Sequence, residues 1–160
     1  MNRIYFTIPG KPRPQKRHGD RKHGGKYDPS AQDKREFNLQ SRRYAPKEPI
    51  VGPVLLYVVF YMPVPKGAVK KIKATATAFA LAARSPLEVS AHLSLSSKSL
   101  QTIKIGFGFH TKRPDVDNLL KLVKGALNGL MWVDDSQVQI GGCFKIYSHK
   151  PRTVIELFWG

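Results

Sequence analysis

The chain has 160 residues, with 27 Lys and Arg against 11 Asp and Glu, so it can bury one ordinary core while carrying a formal charge of +16 at neutral pH. A single cysteine, Cys143, excludes an intrachain disulfide framework and a cysteine-built zinc site, and no apolar run approaches the roughly 18 residues of a membrane span. The charge surplus calls for an anionic partner, and nucleic acid leads because a polyphosphate releases condensed counterions when cations bind it; an anionic membrane surface fits poorly, since no segment pairs a basic face with a broad apolar one.

In chain order, Arg3 to Ile8 are β-branched and aromatic and stop at Pro9-Gly10, which predicts a short first strand. That apolar run is too short for a signal-peptide core, so a cytoplasmic protein is the expectation. The basic Pro/Gly-rich stretch to Pro29 reads as loop. The S-x-x-D pattern at Ser30 predicts a helix start, with Phe37 and either Leu39 or Tyr44 as its buried contacts. Val54 to Met62 is a near-continuous run of β-formers between prolines, the mark of a strand buried on both faces. Residues 66–73 can open a basic helix running into the Ala-rich 74–83, and 84–109 show no clean period, leaving an extra hairpin or an insertion.

Asn118 to Asn128 repeat apolar residues at helical spacing: Leu119, Leu122, Val123, Ala126, Leu127, and Leu130 beyond. Asp117 is placed as the N-cap and Gly129 as the residue after the C-cap, with Lys121, Lys124 and Asn128 on the polar side. Two strands close the chain, Gln137 to Tyr147 with a bulge at Gly141-Gly142, and Thr153 to Trp159. No repeat or linker divides residues 1–160, so the expected fold is a single α+β domain with a mixed sheet and helices.

Against this basic background, four of the 11 acidic residues, Asp115, Asp117, Asp134 and Asp135, fall in one short stretch. In an extended segment residues two apart share a face, so Asp115 and Asp117 can project together, and a loop folding back after the helix can bring Asp134 or Asp135 to them. Carboxylates that close repel unless they share a cation. An oxygen-only donor set suits Mg²⁺ or Mn²⁺, which lowers the pKa of bound water and neutralises charge developing on a phosphodiester. Lys121 lies one turn beyond Asp117 and can steady that charge. Taken singly, Asp117 is equally a helix cap, Asp134-Asp135 a turn before a strand, and Lys121 a solvated cation.

The segment RPDVDNLLKLVKGALNGLMWVDDSQV, Arg113 to Val138, resembles the RusA family of Holliday junction resolvases, phage-associated endodeoxyribonucleases. The opening GKPRPQKR, the later KYDPSAQDKREF and MPVPK at Met62 to Lys66 look like further family elements, whereas residues 74–107 depart from its pattern. The resemblance implies metal-binding catalytic aspartates at Asp115, Asp117 and Asp135, a catalytic lysine at Lys121, and a less essential neighbour at Asp134. It also implies a homodimeric RusA-like subunit that places paired symmetric nicks across a four-way junction in recombination and repair, with Mg²⁺ (or Mn²⁺) and no organic cofactor.

Lys11, Arg13, Lys16 and Arg17, then Arg21 and Lys22, together with Lys112 and Arg113, are the expected DNA-backbone contacts as a group, although each alone reads as a solvated charge. His18, His23 and His110 lack a zinc spacing and read as loop polar residues, and Trp132 and Trp159 as core or dimer contacts. Two alternatives stay open: a non-catalytic DNA-binding or architectural protein, and a metal-dependent nuclease without junction preference.

Overall fold

The computed structural model describes residues 1–22, 24–65 and 110–160. Its centre is a four-stranded mixed sheet ordered β1-β6-β4-β5, formed by β1 (Asn2–Pro9), β4 (Val54–Pro63), β5 (Val138–Ser148) and β6 (Arg152–Trp159). β6 runs antiparallel to both β1 and β4, while β4 and β5 are parallel. A parallel neighbour cannot be reached by a tight turn, and the connection from β4 to β5 carries a helix, α2 (Val116–Leu127).

β4 lies inside the sheet, which explains its nearly unbroken apolar run: Val54, Leu56, Val58, Phe60 and Met62 pack toward the helices, while Val59 and Tyr61 on the other face are also buried. The expected bulge is present, since Leu56 stands opposite Ile140 and Tyr57 opposite Gly142, leaving Gly141 as the extra residue. A Cβ on Gly141 would stand 2.3 Å from the Tyr57 ring, so a side chain there would force that ring to move. On the outer face Glu156 is 1% exposed and pairs with Arg3 at 2.7 Å.

α1 (Ala31–Ser41) and α2 cover one face of the sheet. α2 buries Leu119, Leu122, Val123, Ala126 and Leu127 as its periodicity requires, and Gly129 follows it at φ +72°. Asn38 on α1 donates from Nδ2 to the Ala126 carbonyl at 2.8 Å, joining the two helices.

The structure settles two local expectations, at Leu39 or Tyr44 and at Ser30, and corrects two others. Leu39 is 55% exposed, while Phe37 is buried and Tyr44 stacks on Phe6 at 4.9 Å; position 39 lies two residues past 37 and so on the opposite side of the helix. Ser30 makes no capping bond to α1; it is buried, and its Oγ accepts from the Lys16 amide at 2.8 Å. The stretch read as loop to Pro29 holds a small antiparallel ladder, β2 (Gly19–Asp20) with β3 (Lys26–Tyr27). The N-cap of α2 is Asp115, two residues before the expected Asp117. The helix, hairpin or insertion anticipated across 66–109 lies outside the described residues, as does His23.

Candidate active site

Pro114 precedes α2, and Asp115, at φ −71° and ψ 147°, is the last extended residue before it. Asp117 therefore stands in the first helical turn, so the shared face of an extended segment does not exist here. In a helix residues two apart diverge by about 200°. Asp115 occupies the cap position, yet its carboxylate makes no capping bond, and the residue is exposed. Lys121 Nζ donates to Asp117 Oδ2 at 3.2 Å, the i,i+4 contact expected from spacing. That hydrogen bond holds the Asp117 carboxyl below the usual carboxylate range.

Asp134 and Asp135 lie just past the helix, where Asp135–Gln137 form one short 3-10 turn. Their environments differ. Asp134 Oδ1 accepts from the Ser136 amide at 2.8 Å, and the Ser136 side chain first, then that amide, lowers its pKa. Its own amide donates to Gln137 Oε1 at 2.7 Å, completing a reciprocal capping box. Asp135 Oδ1 instead accepts from the indole N–H of Trp132 at 3.0 Å, and Trp132 is fully buried. One aspartate thus serves the turn, and the other is oriented by the core.

The basic loop reaches the same region. The Gln15 amide donates to the Asn118 carbonyl at 2.8 Å, and a cleft of about 250 Å³ is lined by Gln15, Lys16, Arg17, His18, Asn118 and Lys121. Residues about a hundred positions apart in sequence thereby share one cationic wall. Lys11, Lys16, Arg17, Arg21, Lys22, Lys112 and Arg113 are all exposed. Arg13 is exposed but engaged, pairing with Asp33 and, at 3.3 Å, with Glu36 of α1, so its charge is largely spent within the chain.

Three residues passed over in sequence organise these segments. Gln137 Nε2 donates to the carbonyls of Ile50 (3.1 Å) and Gly52 (2.7 Å), tying the aspartate turn to the loop before β4. The D-x-x-Q spacing was its legible signal. Trp132 reads from sequence as a core or dimer contact, and local spacing shows no role toward Asp135. Lys145 on β5 contacts residues 110–114, and no local pattern announces it. His110 is half-buried, its ring 4.8 Å from that of Tyr147; burial first, then the Lys145 charge, holds its imidazole below the ordinary range. Cys143 is half-buried against the core, and that burial pushes its thiol up to about 12.

The endodeoxyribonuclease RusA family model matches residues 9–158. The chain belongs to the RusA family. It is also similar to an uncharacterized protein of Bacillus subtilis strain 168, YqaN, at 32% identity over 162 aligned positions covering 98% of this chain and 96% of that one. RusA membership implies a nuclease, a hydrolase acting on DNA phosphodiesters in the manner of the Holliday junction resolvases. Among the described residues no helix is long and apolar enough to cross a membrane.

RusA-type nucleases generally depend on a divalent metal, and the aspartates expected from sequence to hold one, Asp115, Asp117 and Asp135, would offer carboxylate oxygens, the donor kind such a metal takes. Among the described residues, however, no three His, Cys, Asp or Glu side chains gather closely enough to hold an ion. Like charges repel, and Asp117 and Asp135 have each taken a local donor instead, Lys121 and Trp132.

Proposed function

We propose that this protein is a Mg²⁺-dependent endodeoxyribonuclease, with Mn²⁺ as a substitute, that resolves four-way DNA junctions by paired symmetric nicks during recombination and repair. The observation that carries the reading is the cleft joining Lys16, Arg17 and His18 to Lys121, one turn from Asp117. It sets a cationic path for a phosphate backbone beside the acidic residues that family membership makes candidates for hydrolysis.

In this reading Asp115, Asp117 and Asp135 hold the metal, whose chemistry is to lower the pKa of bound water and to neutralise charge on the phosphate. Trp132 orients Asp135 through its indole N–H. Lys121 leaves Asp117 to face the scissile phosphate as a compact cation, and Asp134 stays with its turn. Lys11, Lys16, Arg17, Lys112 and Arg113 contact the backbone and read branch shape rather than bases, with Arg13 secondary because of its partners on α1. A substrate with two-fold symmetry cut twice is served by a homodimer with one site per subunit.

The test is cleavage of a synthetic four-way junction with Mg²⁺ by the native protein and by Asp117→Asn. Junction cutting lost in the variant supports the reading, and equal cutting by both sinks it. Equal activity on linear duplex would make the protein a nuclease without junction preference. Tight junction binding with no cutting by the native protein would make it a DNA-binding factor.

A further inference from the structure

The segment that delivers Asp115 is fastened by a residue far from it in sequence. Lys145 Nζ donates to the Pro114 carbonyl at 2.6 Å and to the Lys112 carbonyl at 3.0 Å, and the Lys145 carbonyl accepts from the His110 amide at 2.9 Å. Among the described residues, every hydrogen bond tying 110–114 to the sheet involves Lys145. Lysine ammonium groups are ordinarily left to water, so two of three donors aimed at main-chain carbonyls mark a specific fastening.

The anchor sits in a regular strand pairing. Lys145 stands opposite Phe60 in the parallel β4–β5 pairing, and Phe60 is 1% exposed inside the sheet. The clamped carbonyl of Pro114 belongs to the residue immediately before Asp115, and that of Lys112 to the first of two exposed cations. Main chain held at both points leaves little freedom for where the Asp115 carboxylate emerges.

We propose that Lys145 is a positioning residue of the nuclease site: its ammonium fixes residues 112–114 against β5 and so sets where Asp115 and the Lys112–Arg113 pair stand relative to the sheet. The inference rests on the reading of Asp115 as an active-site acid. A carboxylate displaced by about 1 Å costs on the order of a hundredfold in rate, while attraction between basic loops and DNA is nearly unchanged by so small a shift.

Lys145→Met keeps the apolar stem and removes the donors, and Lys145→Arg restores donors to the same carbonyls. Single-turnover junction cleavage with Mg²⁺ is expected to fall about a hundredfold in Lys145→Met, with junction Kd changed by no more than about threefold, and to recover substantially in Lys145→Arg. Independently of activity, amide hydrogen exchange at His110, whose N–H donates to the Lys145 carbonyl, should speed up about tenfold in Lys145→Met as the segment loosens, while β4 and the buried half of α2 keep their protection. Asp115→Asn, run alongside, separates the two readings. Full cutting by Lys145→Met with an inactive Asp115→Asn overturns the role of Lys145 alone. Full cutting by Asp115→Asn overturns the site assignment, and the positioning role with it. Protection lost equally across β4 and α2, with no rescue by Lys145→Arg, would show that Lys145 merely supports the fold.

Discussion

Trp132→Phe probes the link between core and candidate site most directly. Trp132 is fully buried, and its Nε1–H donates to Asp135 Oδ1 at 3.0 Å. Phenylalanine keeps an aromatic ring in the site but removes the donor and part of the volume. A hydrogen bond to a charged group contributes about 1.5–3 kcal/mol, and the lower end applies because Asp135 is partly exposed. The space left by the smaller ring adds about 1–2 kcal/mol, since the close-packed surroundings relax only in part. The sum, about 3 kcal/mol, corresponds to a melting temperature lowered by roughly 6–12 °C for a domain of this size. Urea and thermal unfolding measure it, and a cycle with Asp135→Ala should show a coupling of at least about 1 kcal/mol. Junction cleavage should fall between about tenfold and a hundredfold as Asp135 loses its orienting donor. A variant that melts within about 2 °C of the native protein, with no coupling to position 135, refutes the reasoning.

Gln137→Met removes two hydrogen bonds that join the aspartate turn to the loop before β4 and a third within the turn, and should cost about 2 kcal/mol in urea unfolding after allowance for its partial exposure; a cost below about 0.5 kcal/mol would show that water replaces them. Gly141→Ala forces a methyl group against Tyr57 and should destabilise by about 2 kcal/mol or more, with the penalty shrinking in a Tyr57→Leu background; an equal penalty in both backgrounds would place its cause in the backbone of the bulge. The Lys121 contact depresses the Asp117 pKa, so its stabilisation is complete above the unfolded carboxyl value and disappears as pH falls through the lower folded value. An NMR titration should therefore find Asp117 below an ordinary aspartate, and Lys121→Met should raise its midpoint; a midpoint indifferent to Lys121 argues against the pair in solution.

Much of the scaffold was legible because it rests on local patterns. The apolar face of α2 follows from five residues at helical spacing, and the doubly buried strand β4 from one unbroken run of β-formers. The errors arose where two local rules compete. Asp115 and Asp117 both suit a helix cap, and placing the start at Asp115 removed the shared face that an extended chain would have given them. The Ser30 pattern found the helix correctly, but its hydroxyl serves the Lys16 amide from the basic loop, a contact between segments that no spacing encodes.

The candidate site divides in the same way. The concentration of aspartates in a cationic chain, and the D-x-D-N-L-x-K run shared with the RusA family, could be read along the chain, as could the Lys121–Asp117 contact, which a helix brings within reach at i,i+4. Tertiary structure decided what surrounds them: the parallel pairing of β4 with β5, the cleft that brings Lys16 and Arg17 to Lys121, the burial of Trp132 beneath Asp135, and the hold of Lys145 on residues 112–114. Helix periodicity and caps are set by residues within a turn or two of one another. Those other contacts join residues far apart in sequence or depend on which ring the core buries, so they exist only once the sheet and its helices have packed.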